Sequence, residues 1–283
     1  MTVVKAFLSR VKRVVPSPLK RAVRKVISSR PGPASERCPI EEPVSLDRYV
    51  VARTYIRGDG IEIGALHNPL KVPPAARVRY VDRMANADLR RHYPELEALP
   101  LVDVDIVADG EILNRIPDGS QDFVIANHFL EHCQNPINAI TSQFRVLKAG
   151  GIAYFAIPDK RFTFDRHRPV TPLSHLVRDY EEGPEWSRLL HFEEFVRLVD
   201  KPEFESQGIN FGEDEIKREL EDKIRRDYSI HFHVWTQKEF LELLLSLKNK
   251  IGFDIELVLK NGHELIVVLQ KLGAETGATA SSA

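Results

Sequence analysis

The feature that most constrains this sequence is a regular alternation of short apolar runs with polar and helix-like segments between residues 61 and 157. Segments that alternate in this way form a mostly parallel sheet with helices on its faces. The last apolar run, 152–157, contains no charged residue, which is typical of a strand buried on both faces. The sequence therefore predicts an α/β fold whose five parallel strands lie at residues 61–63, 78–81, 105–108, 123–126 and 152–157.

The C-terminal part of the sequence predicts a helix followed by an antiparallel hairpin. Thr236 and Glu239 have the spacing of a capping box, in which each side chain binds a backbone amide at the start of a helix. Strand-like runs at 255–259 and 265–269 then flank Asn261-Gly262, a pair that is typical of a two-residue hairpin turn.

The composition excludes several classes of protein. The formal net charge of −1 argues against general nucleic-acid binding, which requires a basic surface to displace counterions from phosphates. The two cysteines, Cys38 and Cys133, form neither a disulfide framework nor a metal-binding pair. No apolar run approaches the roughly 20 residues of a membrane-spanning helix. We therefore expect a cytoplasmic globular protein that binds no nucleic acid.

The first 28 residues differ from the rest because they carry basic residues and no acidic ones. Their apolar residues recur at helical spacing, and a basic amphipathic helix can lie in the headgroup region of an anionic membrane. This predicts peripheral contact with the inner face of the membrane. A mobile basic arm, a helix packed on the body of the protein and, in a eukaryote, a transit peptide also fit. A linker over 29–45, one domain over 46–272 and a disordered tail over 273–283 are predicted to follow.

Acidic residues and glycines lie at or near the ends of the predicted strands: Glu62, Gly64, Asp82, Asp109 and the Leu-Lys-Ala-Gly-Gly turn at 147–151. Their order and spacing resemble those of the class I S-adenosylmethionine-dependent methyltransferases. The segment 122–132 also resembles the fourth-strand region of that family. The resemblance covers about residues 58–160 together with the C-terminal helix and hairpin. It implies a Rossmann-like sheet of five parallel strands with a C-terminal antiparallel hairpin, helices on both faces, and S-adenosylmethionine as the cofactor.

The same resemblance implies which residues bind the cofactor. Gly64 would let the backbone approach the methionine part closely, Asp82 would accept hydrogen bonds from both ribose hydroxyls, and Asp109 would accept one from the adenine amino group. Glu62 would orient the loop or meet the methionine ammonium. The predicted set is Glu62, Gly64, Ala65, His67, Asp82, Asp109 and Asn127. Taken singly, Asp82 and Asp109 can also be ordinary turn acids, and Gly64 only a turn residue.

The loop after the first strand departs from the family pattern. Only one glycine, Gly64, remains of the usual two or three, and Pro69, Pro73 and Pro74 disfavour a helix before the second strand. We therefore expect a remodelled cofactor loop in which His67 and Asn68 supply polar contacts. The missing glycines also argue against a nicotinamide-dependent oxidoreductase, whose cofactor loop requires them.

A long insertion, residues 158–230, separates the fifth strand from the C-terminal helix, and a connection of this length is functional or a small subdomain. Polar and aromatic residues from its start to the following helix predict acceptor contacts at Phe164, Arg168, Thr171, Tyr180 and Trp235. The predicted catalytic residues are His233, His175, His231 and Asp165.

The alternation around His231 and His233 leaves three interpretations open. In an extended chain the two imidazoles share a face, so they can bind a metal, or one can act as a general base. Equally, they can be a partly buried pair that binds backbone carbonyls. We predict no metal site from this pattern alone.

The segments 165–172 and 231–235 also resemble uncharacterised methyltransferases associated with glycan biosynthesis. This implies O-methylation of a polar acceptor, such as a sugar hydroxyl of a glycan or a lipid-linked saccharide. The alternatives are a methyltransferase-like interaction module without activity, recruited to membranes by the basic arm, and a nucleotide-cofactor oxidoreductase.

Overall fold

The computed structural model describes residues 46–273, so the predicted N-terminal arm, the linker and the tail beyond Gly273 lie outside the described residues. Across residues 46–273, no helix is long and apolar enough to cross a membrane.

The centre of the fold is a seven-stranded sheet in which five parallel strands are followed by an antiparallel pair. The strands are β1 (Gly58–Ile63), β2 (Ala76–Asp82), β3 (Ile106–Val107), β4 (Gln121–Asn127), β5 (Leu147–Pro158), β6 (Phe253–Asn261) and β7 (Glu264–Lys271). Their order across the sheet is β3-β2-β1-β4-β5-β7-β6. This arrangement confirms the predicted Rossmann-like sheet with a C-terminal hairpin.

Helices cover both faces of the sheet, as predicted. In chain order they are α1 (Arg48–Tyr55), α2 (Asn86–His92), α3 (Pro136–Val146), α4 (Leu173–Glu182), α5 (Glu185–Phe195), α6 (Lys201–Ser206), α7 (Glu213–Arg225) and α8 (Gln237–Ile251). Helices α3, α4 and α8 share one buried apolar cluster with β1, β4 and β5. Helix α1 packs on the opposite face, where Val51 and Ala52 meet Phe123 and Tyr154.

The connection from β1 to β2 contains no helix, which confirms the effect expected of its prolines. Two contacts hold this loop in place instead. The Val102 amide donates to the Leu66 carbonyl oxygen at 2.8 Å, and the Leu70 amide donates to the buried Glu62 carboxylate at 2.9 Å. The loop therefore follows a fixed path across the end of β1.

The C-terminal helix and hairpin form largely as predicted. The reciprocal capping box of Thr236 and Glu239 opens α8, and Gly252 ends it in the left-handed conformation that glycine adopts without strain. The hairpin turn is displaced by one residue from the prediction. Asn261 pairs with Glu264 in the ladder, and its side-chain amide donates to Glu264 at 2.8 Å, so the turn residues are Gly262 and His263.

The insertion forms a small helical layer at the carboxyl edge of the sheet. It contains α4 to α7 and has apolar clusters of its own, one of them around Phe192, Phe195 and Phe232. Asp159, which follows β5, forms a bridge with Trp235, and the Phe232 amide donates to the Glu131 carbonyl oxygen at 2.8 Å. The end of the insertion is thereby fixed beside the ends of β4 and β5.

Candidate functional site

The carboxyl ends of the parallel strands meet where the strand order reverses between β1 and β4, the place where open α/β sheets bind ligands. The Gly64 amide donates to the Val81 carbonyl oxygen at 2.9 Å, so Gly64 lies beside Asp82, the last residue of β2. On the other side of β1, the parallel register with β4 brings Asn127 to the same level. Three predicted cofactor-binding residues therefore lie side by side at this edge.

Asn127 and Gly64 give this edge free polar atoms and open backbone. The Asn127 side chain is buried, and no group among residues 46–273 meets hydrogen-bond geometry with its amide oxygen or nitrogen. The amide nevertheless lies near enough to Glu62 to lower the pKa of that carboxyl against the effect of burial. An unpaired buried polar group costs about 1–3 kcal/mol, so a ligand is expected to satisfy it. Gly64 has φ +66°, and a Cβ added there would touch only the Phe129 ring, at 3.8 Å.

The two predicted strand-end acids reach the same edge but differ in their surroundings. Burial raises the pKa of Asp82, against hydrogen bonds from the amides of Arg83 and Met84. Arg83 and Met84 line an open cavity of about 730 Å³. Asp109 is exposed, and its carboxylate accepts a hydrogen bond from the Glu111 amide at 2.8 Å. This contact is typical of an acidic residue in a turn, the alternative role that the sequence left open for Asp109.

The remaining cofactor-loop residues serve the loop itself. Both carboxylate oxygens of Glu62 accept from the Leu70 amide, at 2.9 and 3.1 Å, which is the loop-orienting contact considered for this residue. Burial raises the pKa of Glu62 to about 7, although the Leu70 amide opposes the shift. The Ala65 carbonyl oxygen accepts from the Asn68 amide at 3.0 Å in a tight turn, and His67 is exposed on that turn.

His128, which follows Asn127, belongs to an ion network that the sequence reasoning missed. Its backbone is left-handed, with φ 49°, a conformation that is uncommon for residues other than glycine. Its Nε2 lies 2.8 Å from Glu264, its Nδ1 lies 3.5 Å from Glu131, and Glu264 also binds Arg48. Although burial disfavours the cation, Glu131 and Glu264 raise the pKa of His128 to about 9. No sequence signal joins these residues, since Glu264 is 136 positions away.

Two of the predicted catalytic residues, Asp165 and His231, form a buried dyad. The His231 Nδ1 lies 2.7 Å from the Asp165 carboxylate, which orients the ring, and no group among residues 46–273 forms a hydrogen bond with its Nε2. Burial opposes ionisation of Asp165, but His231 and Arg168 together lower its pKa. The exposed ring of Phe164 packs against His231 at 4.7 Å between centroids. The dyad therefore lies just beneath the surface.

Three of the residues predicted to contact the acceptor make structural contacts. The guanidinium of Arg168 is completely buried and binds Asp165, Glu194 and two backbone carbonyls. Thr171 pairs with Val234 through its amide and its hydroxyl, and Trp235 is 1% exposed. Burial against protein groups leaves these three side chains little exposed surface for an acceptor, and their acceptor contacts stay predictions. Phe164 and Tyr180 are exposed at 44% and 48%, so their acceptor contacts remain predictions.

His233 and His175 belong to a second cluster, which we call the Asp179 cluster: His175, Asp179, His191 and His233. His233 is fully buried, and its Nε2 lies 3.3 Å from the Gln134 carbonyl oxygen. Burial, together with the neighbouring His191, lowers the pKa of His233 well below its usual value. A general base must reach its substrate, so the burial of His233 argues against a catalytic role, and that role stays a prediction. His231 and His233 contact different groups and do not form a pair.

Comparison with known proteins agrees with this geometry. Residues 58–155, about a third of the chain, match the family described as "Methyltransferase domain". No curated protein matches the sequence.

Several solved structures resemble the fold at low identity. A candidate methyltransferase from Bacillus halodurans shares 12% identity, with a TM-score of 0.42, over 79% of this chain and 96% of that one. A SAM-dependent methyltransferase from Methanosarcina mazei shares 16%, with a TM-score of 0.41, over 80% and 99%. One from Aquifex aeolicus shares 13%, with a TM-score of 0.39, over 76% and 82%.

The family match implies S-adenosylmethionine as the cofactor. The residues at the carboxyl edge fit it. Asp82 offers a half-buried carboxylate, Asn127 offers amide atoms that are unpaired within residues 46–273, and Gly64 leaves its backbone open to close approach.

Proposed function

We propose that this protein is an S-adenosylmethionine-dependent methyltransferase that methylates a hydroxyl group of a polar acceptor, such as a sugar of a glycan or a lipid-linked saccharide. The observation that carries the proposal is the meeting of Gly64, Asp82 and Asn127 at adjacent strand ends, inside the region that matches the methyltransferase domain.

The cofactor-binding residues act by position and hydrogen bonding. The Asp82 carboxylate accepts from the two ribose hydroxyls, because a carboxylate has two oxygens that match neighbouring hydroxyls. The Asn127 amide, unpaired among the described residues, binds a polar group of the same ligand. When bound, S-adenosylmethionine supplies an electrophilic methyl group on its sulfonium. Alignment of an acceptor oxygen with that methyl group can contribute several kcal/mol to catalysis.

We assign removal of the acceptor proton to His231. Asp165 accepts from its Nδ1 and so holds the tautomer in which Nε2 can take a proton. The exposed Phe164 ring beside it offers an apolar face on which a sugar can stack. General-base catalysis of this kind typically contributes about a hundredfold to ten-thousandfold.

The test is transfer of a tritiated methyl group from S-adenosylmethionine to a panel of saccharides, amines and carboxylic acids. We expect transfer to saccharides and a loss of at least a hundredfold in His231→Gln, with unchanged cofactor affinity. His167→Ala is the matched control, because His167 is an exposed histidine of the same insertion. Equal turnover in wild type and His231→Gln would exclude His231 as the base. Transfer to amines alone would exclude the hydroxyl acceptor.

The proposal includes contact of residues 1–28 with the membrane, since this segment is basic, amphipathic and free of acidic residues. Co-sedimentation with phosphatidylserine vesicles should exceed that with phosphatidylcholine vesicles, and deletion of residues 1–28 should abolish it. Equal sedimentation of the full and shortened chains would contradict the proposal.

A further inference from the structure

The Asp179 cluster gathers four metal-binding side chains from three separate elements. His175 and Asp179 lie one turn apart on α4, His191 lies on α5, and His233 lies in the extended segment before α8. One potential ligand atom from each lies within 4.8 Å of all the others. Asp179 and His233 are 0% exposed, and His191 is 8% exposed. Four such groups converge in the interior, where burial lowers the pKa of His191 and His233 and the nearby Arg168 guanidinium lowers it further from outside the cluster.

Three of the six ligand-atom distances within the cluster are close to those of a tetrahedral metal site. The Nε2 atoms of His175 and His191 are 3.0 Å apart, and the Asp179 Oδ2 lies 3.3 Å from the Nε2 of His175 and 3.5 Å from that of His233. Zinc binds nitrogen and oxygen at about 2.0–2.2 Å. Ligand atoms at the corners of such a tetrahedron are about 3.3–3.5 Å apart. Two of these three separations lie in this range, and the third, between His175 and His191, is shorter at 3.0 Å.

One oxygen of the Asp179 carboxylate, the buried Oδ2, faces the imidazoles and has no hydrogen-bond partner among residues 46–273. The other oxygen accepts from the buried Ser187 hydroxyl at 2.9 Å, a contact that holds the carboxylate in one orientation. Ligands of metal ions are commonly held by an outer hydrogen bond of this kind. A cation between Oδ2 and the three imidazoles would satisfy the unpaired oxygen, and the His233 Nε2 would then give its lone pair to the cation in place of its 3.3 Å hydrogen bond to the Gln134 carbonyl oxygen.

Aromatic rings surround the cluster and limit the access of water. Trp186 packs against His175 at 4.8 Å between centroids, and Trp235 stacks on His233 at 6.0 Å. Three imidazoles and one carboxylate are ligands that suit zinc, and four protein ligands complete a tetrahedral structural site.

We propose that His175, Asp179, His191 and His233 bind one zinc ion, which joins α4 and α5 to the segment that carries His231. The ion holds this segment against the carboxyl edge and so positions the insertion. The proposal does not depend on methyl transfer and can fail or hold independently of it.

The test is the metal content of the full-length protein, expressed with added zinc and measured by mass spectrometry after gel filtration without chelator. We expect one zinc per chain, retained in His167→Ala and lost in both His191→Ala and Asp179→Asn. Zinc that is absent from the wild type, or equal in the wild type and both variants, would overturn the proposal.

A cobalt-loaded protein gives a readout that does not require loss of a ligand. Cobalt in the wild-type site should give the strong visible absorption of a tetrahedral ion. In His191→Cys, a new sulfur-to-cobalt band should appear, because cysteine can replace histidine as a ligand. A folded, cobalt-treated His191→Cys chain without that band would show that position 191 does not bind the metal.

Discussion

Replacement of Arg168 by methionine tests whether this side chain binds acceptor or holds the insertion in place. Its guanidinium is fully buried and donates to Asp165 at 2.9 Å, to Glu194 at 2.8 Å and to the His231 carbonyl oxygen at 2.7 Å. Methionine retains most of the length of the stem but none of these donors. The Arg168→Met variant therefore leaves Asp165 and two backbone carbonyls without their partner.

The expected loss of stability follows from these contacts. Removal of one partner of a buried ion pair costs about 3–5 kcal/mol. Asp165 keeps its bond to His231, and Glu194 is 28% exposed and can be rehydrated. We therefore expect the free energy of unfolding to fall by about 3 kcal/mol, the lower end of that range. At about 2–4 °C per kcal/mol for domains of 150–250 residues, the melting temperature should fall by about 6–12 °C.

The assay is urea unfolding followed by circular dichroism, with Arg77→Met as the control. Arg77 is a surface arginine with an exposed partner, Asp59, so its replacement should leave the unfolding midpoint unchanged. An Arg168→Met chain as stable as the control would refute the structural role. A raised KM for the acceptor with unchanged stability would instead support Arg168 as an acceptor contact.

Three further substitutions test other parts of the account. Glu62→Gln should stabilise the protein at pH 8 by on the order of 3 kcal/mol and leave its stability unchanged near pH 4. The reason is that the pKa of Glu62 is raised to about 7, so wild-type stability falls as the pH rises from the usual carboxyl range through 7. A stability difference in urea unfolding that stays constant with pH would contradict this. In His128→Gln, stability should fall less than in the wild type as the pH rises from about 6.5 to 9. A histidine whose pKa is raised to about 9 stabilises the fold fully below pH 6.5, and this contribution is lost as the pH rises through 9. Identical profiles of stability against pH in the two proteins would refute it. Gly60→Ala should lower the melting temperature, because its Cβ would overlap the Phe123 carbonyl and ring; an unchanged melting temperature would show that β1 and β4 can separate there.

The sheet and its edge were predictable because they depend on local patterns. Buried parallel strands are apolar throughout, and all of them end at one edge, so the sequence places Gly64, Asp82 and Asn127 together without knowledge of side-chain packing. The proline-rich loop after β1 was predictable for a similar reason, since proline disfavours the helical conformation of the residue that precedes it. The hairpin turn was displaced because the ladder contact of Asn261 with Glu264 outweighed the preference of the Asn-Gly pair.

The insertion was less predictable because burial decides the role of its residues. Arg168 and Trp235 resemble acceptor contacts in the sequence, yet the packing of α5 and of the segment before α8 encloses them. His175 and Asp179 have a helical spacing that the sequence displays. The contact of His175 with His191, however, depends on how α4 packs on α5, and no local sequence pattern predicts that packing.

Isothermal titration with S-adenosylmethionine measures whether the carboxyl edge binds the cofactor. One cofactor should bind per chain, and Asp82→Asn should weaken the affinity roughly tenfold to a hundredfold, since a hydrogen bond to a charged group contributes about 1.5–3 kcal/mol. No heat of binding at millimolar cofactor, or equal affinity in wild type and Asp82→Asn, would contradict the account of the carboxyl edge as the cofactor site.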